Sequence, residues 1–323
     1  MIDIIIPCYN AHNTINRALA SVAMQDIVDE LTVTLVDDCS EFDYKEYVDF
    51  WSRVLTIQQV QLPENGGPGV ARQAGLDETD GDFIVFMDAD DTLATSYALR
   101  QMKTAMEKET ADIVCGQFIE ECEEGFIPHK GDLVWVFAKM YRRKTIERFL
   151  VRFNDTRANE DTGFNTLLGS LTDRVVYIPQ TVYEWHWSES TITRKQNGAY
   201  TWATGHRGYV ANMLWVIEEL RKRNVNKEII RSLAVKCLCN MYFMHENVMA
   251  NAPWEADASN KAIGEFYKKA IQPIVKDGAL PFVYIAENFK DVQASAKGGI
   301  IYTSTFRDWL KALGYYKDEK KVS

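Results

Sequence analysis

Three aspartates directly follow an apolar stretch in residues 84–93, IVFMDADDTL. The apolar residues predict a buried strand. Residues two apart in an extended segment share a face, so Asp88 and Asp90 can converge on one ligand. Carboxylates are preferred ligands of Mg²⁺ and Mn²⁺, whose shells are completed by water and phosphates. A DxD pattern is nevertheless common, and a solvated turn that caps the next helix also suits acids. We expect Asp91 to be such a helix-start acid.

Polar residues also follow the two strands predicted nearest the N-terminus. The run IDIIIP ends at Pro7 and leads into CYN, and LTVTLVDD ends in Asp37 and Asp38. Each acid suits either a strand-to-turn transition or a hydrogen bond from a base N–H or a ribose hydroxyl. Ligands of parallel α/β sheets bind at the carboxyl ends of the strands, so three polar strand ends predict one binding site.

A glycine-rich stretch, PENGGPGVARQAGL, precedes a predicted helix. Such turns present backbone N–H groups to phosphate, although this one lacks the GxxxxGK[ST] pattern of a nucleoside-triphosphate loop. Arg72 in this helix is either an exposed side chain or one that holds a phosphate or an acid of the DxD pair.

Two later segments add candidate catalytic and ligand-binding side chains. Glu160 and Asp161 in NEDTGFN suit the first turn of a helix, and also a general base that deprotonates an acceptor hydroxyl. His186 lies among aromatic residues in YEWHWSESTIT. We expect it to be a packing residue, a third metal ligand or a phosphate contact. Trp185 and Trp187 beside it either line a sugar-binding site or pack in the core.

Alternating strands and helices must hold these side chains in place. Five strand-like runs separated by helical stretches occupy the chain up to ADIVCGQF. This βαβ rhythm predicts an α/β fold with a mostly parallel sheet and helices on both faces. Beyond about residue 200 the pattern is helical. We therefore expect a catalytic domain at 1–198 and a helical C-terminal region at 199–323 for acceptor binding or homo-oligomerisation.

Composition restricts the partners and the compartment. The chain has 323 residues, a formal net charge of −10 and a sequence pI near 5.1, which disfavours nucleic acid as a partner. The basic segment KMYRRKTIERFLVR is expected to be a solvated helix face rather than a contact for lipid phosphate or DNA. Six cysteines without a CxxC pair predict reduced thiols and no zinc site. The lack of signal-peptide and membrane-spanning patterns predicts a cytoplasmic protein with at most peripheral membrane contact.

Taken in chain order, these segments resemble the family 2 glycosyltransferases of the GT-A fold. The match runs through IIIPCYNAHNTINRALASVAMQ, VTLVDDCS, ENGGPGVARQAGLDETDGDFIVFMDADDTL, NEDTGFN and YEWHWSESTIT, roughly the first 195 residues. The resemblance implies a Rossmann-like sheet of the GT-A type, a nucleotide-sugar donor that is usually a UDP-sugar, and a carbohydrate or glycoconjugate acceptor. It also implies a divalent metal, usually manganese or magnesium.

The resemblance assigns roles to individual residues. The residues matching the family's donor-binding positions are Pro7, Tyr9, Asp37, Asp38, Arg72, Asp88 and Ala89. Asp90 matches the direct metal ligand, with Asp88 and His186 as further candidates, although relatives often have arginine at the histidine position. Asp161 matches the general base, and Glu160 is the second candidate.

The implied reaction is a single displacement with inversion. An acceptor hydroxyl, deprotonated by Asp161, attacks C1 of the sugar from the face opposite the nucleotide, and the metal takes up charge on the departing diphosphate. Cys39 stands where the family usually has the glycine of DDGS, so we expect a different turn after Asp38.

Three alternatives remain open on the sequence. A nucleotidyltransferase that makes a nucleotide-sugar would need a glycine-rich loop with Arg and Lys after IDIIIP, which is absent. An inactive nucleotide-sugar binding module is disfavoured by the intact acids of the DxD and ED segments. A glycosyltransferase that modifies a DNA base is disfavoured by the acidic pI.

Overall fold

The computed structural model describes residues 1–187, 205–274 and 303–314. The chain divides into two compact units, residues 1–194 and 195–323. The first unit contains one nine-stranded sheet. Its strands are β1 Ile2–Cys8, β2 Leu31–Asp37, β3 Thr56–Gln61, β4 Phe83–Phe86, β5 Thr92–Leu93, β6 Ile113–Cys122, β7 Gly125–His129, β8 Lys139–Arg142 and β9 Val175–Trp185. Its helices are α1 Ile15–Ala23, α2 Lys45–Trp51, α3 Pro68–Asp77, α4 Ala98–Lys108, α5 Arg143–Phe149 and α6 Glu160–Leu171.

The N-terminal half of the sheet is parallel. β1 pairs with β2 and β4, and β2 pairs with β3, all in parallel. Every residue of β1 except Pro7 is buried, as expected for a central strand covered on both faces. Half of β3 faces solvent because this strand lies at the edge of the sheet. The predicted α/β fold is confirmed.

The other half of the sheet mixes directions. The strand order is β3–β2–β1–β4–β8–β6–β9–β5, with β7 paired to β6. β8 runs antiparallel to both β4 and β6, because the chain returns from β7 through a loop rather than through a helical crossover. Only β6 and β9 pair in parallel here. The expected parallel pairing therefore holds for β1 to β4 and for β6 with β9.

The basic segment KMYRRKTIERFLVR is the predicted solvated helix face only in part, at the exposed Lys144 and Arg148 of α5. Its first four residues form β8, and α5 follows directly. Lys139 and Arg143 are buried. The Nη2 group of Arg143 donates to Asp3 Oδ2 at 2.9 Å. These two cations therefore serve the interior of the first unit and are not presented to a polyanion.

The described part of the second unit is helical, as predicted. Apolar residues such as Val216, Ile217 and Phe266 are buried among these helices. None of the described helices combines the length and apolarity needed to cross a membrane. The helices are α7 Arg207–Lys222, α8 Lys227–Asn251, α9 Ala256–Phe266 and α10 Thr303–Ala312.

Two buried histidines in the second unit flank Ser259. The Nδ1 atoms of His206 and His245 each lie 3.1 Å from Ser259 Oγ. Burial, followed by the neighbouring His245, lowers the pKa of His206 to about 4, and burial lowers the pKa of His245. Both side chains are therefore neutral in the folded protein at neutral pH. An unfolded histidine gains a proton near pH 6.5, so acid favours the unfolded state.

We expect the free energy of unfolding to fall by about 3 kcal/mol between pH 6.5 and pH 4 through His206 alone. The loss begins below the unfolded pKa of about 6.5, because only there does the unfolded state bind the extra proton. Urea denaturation across this pH range, compared between the native chain and His206→Gln, measures it. His12→Gln, at an exposed position, is the control. An identical pH dependence in all three proteins would contradict the prediction.

Candidate active site

The polar strand ends meet at one edge of the sheet. Parallel register places Cys8 beside Asp37 and Ile5 beside Phe86, so β1, β2 and β4 end close together. The DxD turn follows β4 directly, and α3 approaches the same edge through its glycine-rich turn. This arrangement follows from parallel pairing, in which all carboxyl ends lie on one side.

Asp38 holds the glycine-rich turn. Its Oδ1 accepts the N–H of Gly66 and its Oδ2 accepts the N–H of Gly67, each at 2.8 Å. Gly67 has a φ of 88°, in the left-handed region that glycine adopts without strain. Burial raises the pKa of Asp38, and the two hydrogen bonds only partly oppose this effect. The structure thus places Asp38 beneath the turn that precedes α3.

Asp37 leaves one buried acceptor open. Its Oδ1 accepts the N–H of Ser40 at 2.9 Å, whereas its Oδ2 has no hydrogen-bond partner within the described ranges. Cys39 between these residues has a φ of 63°, which is the left-handed conformation of a glycine. Tyr9 is exposed and Pro7 half-buried at the end of β1. These residues line the same edge as Asp38.

Arg72 joins the DxD and ED segments. Its Nη2 donates to Asp88 Oδ1 and its Nη1 to Glu160 Oε1, both at 2.7 Å. Burial lowers the pKa of the guanidinium, but Asp88 and Glu160 more than offset this, and the pKa is raised. Gly69 permits the approach, because a Cβ there would lie 2.8 Å from Cγ of Glu160. One buried cation thus links acids that lie 72 residues apart.

The two acids of the ED segment differ. Glu160 is buried in its ion pair with Arg72. Asp161 is half-buried and accepts the N–H of Thr162 at 2.6 Å. Burial, followed by the charge of Glu160, raises the pKa of Asp161 to about 7. A carboxyl that titrates near neutral pH suits a general base, and of the two acids only Asp161 is outside the Arg72 ion pair.

The DxD acids lie in a turn rather than at a helix start. Asp88 is 32% exposed at its side chain and Ala89 is buried. Burial, followed by the charge of Asp88, raises the pKa of Asp90. The guanidinium of Arg17 donates to the carbonyl of Asp90. Asp88 and Asp90 therefore lie just after the C-terminal end of β4, with partial access to solvent.

Asp91 is not a helix-start acid, contrary to the prediction. It is fully buried, and the short strand β5 follows it. Its Oδ2 accepts the hydroxyl of Tyr183 at 2.8 Å and its Oδ1 accepts the N–H of His186 at 2.9 Å. The same Tyr183 oxygen accepts the N–H of Asp88 at 3.0 Å. Sequence reasoning missed Tyr183, and the only available signal was its place at the start of YEWHW.

Both ring nitrogens of His186 are engaged. Nδ1 lies 2.9 Å from Glu121 Oε2, and Nε2 lies 2.7 Å from Thr92 Oγ1. Glu121 also accepts the N–H of Trp187 at 3.1 Å. Trp185 packs against the core with part of its ring exposed. The predicted Ser-x-Thr element after His186 lies outside the described residues.

The donor set fits a metal that is held by few protein ligands. Within the described ranges, no three His, Cys, Asp or Glu side chains form a metal-binding group. Asp88 and Asp90 offer two carboxylates two residues apart in one turn, and burial followed by the charge of Asp88 raises the pKa of Asp90. Magnesium and manganese commonly bind through one or two carboxylates together with substrate phosphates and water. The residues present therefore fit such a cation.

Fold and site together define an α/β protein of the GT-A type, with acids and a glycine-rich turn at the carboxyl ends of its strands. Residues 3–166 match the sequence model of Glycosyl transferase family 2, and the chain belongs to this family.

Relatives extend this comparison. Glycosyltransferase GlyA of Streptococcus pneumoniae is 26% identical over 60% of this chain and 31% of its own length. The poly(ribitol-phosphate) beta-N-acetylglucosaminyltransferase TarS of Staphylococcus aureus is 32% identical over 35% of this chain and 20% of its own length. The chain thus matches less than a third of either relative.

Solved structures share the fold. TarS residues 1–349 in complex with UDP-GlcNAc superpose with a TM-score of 0.73 at 20% identity, covering 91% of this chain and 90% of that one. The mannosyltransferase PcManGT of Pyrobaculum calidifontis, in complex with GDP-Man and Mn²⁺, gives a TM-score of 0.50 at 18% identity, covering 97% and 84%.

Replacing Arg72 with methionine is expected to lower the free energy of unfolding by about 3–5 kcal/mol, because Asp88 and Glu160 would lose their shared buried cation. Urea denaturation at neutral pH measures the loss. Arg152→Met is the matched control, since its ion pair with Asp77 is about half exposed and is expected to contribute less than about 1 kcal/mol. Equal losses in the two variants would contradict the prediction.

Proposed function

We propose that this chain is an inverting glycosyltransferase that moves a sugar from a UDP-sugar, with UDP-GlcNAc as the first candidate, to an acceptor hydroxyl. One observation carries the proposal: Arg72 ties Asp88 of the DxD turn to Glu160, the neighbour of Asp161. Acids suited to a diphosphate-bound cation and an acid suited to proton removal thus share one site. The resemblance to TarS bound to UDP-GlcNAc supports the choice of donor.

Donor binding is assigned to the strand ends. The open Oδ2 of Asp37 would accept an N–H of the nucleotide base, and Asp38 would hold the glycine-rich turn in place beside it. Exposed Tyr9 and half-buried Pro7 would border the base, while Asp88 and Ala89 would face the ribose and diphosphate. Arg72 orients Asp88 through Nη2 and Glu160 through Nη1. Its remaining N–H donors, among them an Nε with no hydrogen-bond partner in the described residues, would be available to the donor.

Catalysis is assigned to Asp161. Its carboxylate would take the proton of the acceptor hydroxyl as the oxygen attacks C1 of the sugar from the side opposite the diphosphate, which inverts the anomeric centre. A manganese or magnesium ion, held by Asp90 and Asp88, would neutralise charge on the departing diphosphate. Glu160 keeps Arg72 in position and raises the pKa of Asp161. We assign His186 to supporting the DxD turn, because its backbone N–H donates a hydrogen bond to Asp91.

A donor panel tests the proposal. The purified chain is incubated with manganese and with UDP-, GDP- or dTDP-sugars, and nucleotide release is measured with and without added acceptors. We expect release of UDP from a UDP-sugar, abolished by chelation of the metal. Release of pyrophosphate from a nucleoside triphosphate would instead identify a nucleotidyltransferase. Donor binding without turnover under any of these conditions would identify an inactive binding module.

The rate is expected to depend on the protonation of Asp161. Burial raises the pKa of Asp161 to about 7, and only the deprotonated form accepts a proton. We therefore expect kcat to fall about tenfold for each pH unit below pH 7 and to level off above it. Glu160→Gln removes the neighbouring charge that raises this pKa, so its profile is expected to shift to lower pH. A profile that is flat between pH 5.5 and 8, a range of about one to two units around that pKa, would contradict this role.

A further inference from the structure

Four aromatic side chains lie in contact with one another beside the site. Trp135, Phe137 and Tyr183 stack in succession, and Trp185 packs against Trp135 at an interplanar angle of 49°. Phe137 stacks on Tyr183 with ring centroids 4.7 Å apart and an interplanar angle of 6°. Trp135 stacks on Phe137 at 5.6 Å and 11°, and its centroid lies 5.1 Å from that of Trp185. We call this group the aromatic stack.

Hydrogen bonds connect the aromatic stack to α6 at one end and to the DxD turn at the other. Asn165 in α6 donates from Nδ2 to the carbonyls of Trp135, at 2.8 Å, and Val134, at 3.2 Å. Asp161 lies four residues earlier in α6, so Asp161 and Asn165 are neighbours on one helix face. At the other end, the Tyr183 hydroxyl bonds to Asp91 and to the N–H of Asp88. The stack therefore connects the proposed base with the DxD turn.

The four side chains of the aromatic stack differ in their exposure to solvent. Phe137 and Tyr183 are buried, whereas Trp135 and Trp185 are only partly buried. Glu120 lies directly beside Trp185 in the register of β6 with β9. The two partly exposed indoles offer apolar ring surface. The Glu120 carboxylate, which also lies 2.8 Å from His129 Nε2, offers a hydrogen-bond acceptor beside them. A saturated sugar ring matches both, because its C–H face is apolar and its hydroxyls are donors.

We propose that Trp135 and Trp185 form a platform for the acceptor and that this acceptor carries a pyranose ring. The proposal rests on the function proposed above, since it requires the acceptor hydroxyl to reach Asp161. Asn165 holds the backbone carbonyl of Trp135 against α6, four residues from that base, so a ring stacked on the indoles would lie beside this helix. An open-chain polyol phosphate has no ring face for the indoles, and its phosphate would lie near the carboxylates of Glu120 and Asp161.

The test uses the full chain with methyl β-D-glucopyranoside, methyl N-acetyl-β-D-glucosaminide and ribitol 5-phosphate as acceptor probes. Trp135→Ala is expected to raise the KM for the glycosides about tenfold, the value of one aromatic contact, and to change the donor KM by less than that. Trp135→Phe retains an aromatic face and is expected to stay within about threefold of the native KM. Trp254→Ala, at a tryptophan that is 79% exposed in the second unit, is the matched control.

Saturation-transfer NMR gives a second readout that does not need turnover. We expect the ring protons of the glycosides to receive saturation from the native chain and from Trp135→Phe, and to lose it in Trp135→Ala. Saturation of ribitol 5-phosphate alone, or glycoside binding that is unchanged in Trp135→Ala and in Trp185→Ala, would overturn the platform. Absence of UDP release would count against the proposed function, while the NMR result would still decide the platform.

Discussion

Replacing Asp161 with asparagine is expected to reduce kcat by about 10³-fold, within the range that a positioned general base contributes. The amide keeps the shape of the side chain but cannot accept the hydroxyl proton. The KM for the donor is expected to stay within about twofold, because Asp161 is assigned to the acceptor and not to the nucleotide. Steady-state UDP release with a fixed acceptor measures both constants.

Two variants make the Asp161 result specific. Asp155→Asn makes the same chemical change at an exposed site six residues earlier and is expected to leave kcat unchanged. Glu160→Gln distinguishes the two acids of the ED segment. If Glu160→Gln abolished transfer at every pH while Asp161→Asn remained active, the roles of the two residues would have to be exchanged.

Replacing Asp90 with alanine is expected to lower kcat/KM by about 10³-fold, the equivalent of several kcal/mol of charge stabilisation. The variant is also expected to lose the dependence of UDP binding on manganese, since Asp90 is the acid whose charge has no buried arginine partner. Isothermal titration with UDP, in the presence and absence of manganese, measures this second effect independently of turnover. Asp88→Ala is expected to lose stability as well, because Asp88 pairs with Arg72.

Asp80→Ala is the matched control for Asp90. Asp80 is exposed and precedes β4, at the end of that strand opposite the DxD turn. Both activity and the manganese dependence of UDP binding are expected to remain native. Manganese-dependent binding of UDP that persisted in Asp90→Ala would remove Asp90 from the metal site.

The sequence predicted that polar strand ends would meet at one edge of the sheet, as they do. Asp37, Asp38 and Asp88 follow apolar runs, and parallel pairing brings such ends together whatever the loops do. Arg72 was also placed near the DxD acids. Sequence alone could not show that its second arm holds Glu160, because that contact depends on how closely α3 and α6 pack at Gly69.

Other features depend on tertiary contacts that have no local pattern. The strand β8 has only four residues, too few to show a period of two, and its lysine and arginine resemble those of a charged helix. The buried positions of Asp91 and Lys139 break the usual relation between charge and exposure. Tyr183 lies within an aromatic run, and nothing in that run distinguishes the tyrosine that bonds to the DxD turn from its packed neighbours.

The hydrogen bonds of Asp91 constrain how the sequence can vary in evolution. A carboxylate at position 91 and a phenol at position 183 bond to one another in the interior, so loss of either removes a buried hydrogen bond of the other. Natural variation at these two positions is therefore expected to be correlated. Chains that lack the acid at 91 would carry phenylalanine more often than tyrosine at 183. A transplanted DxD loop would need the matching residue of β9 to fold in its new host.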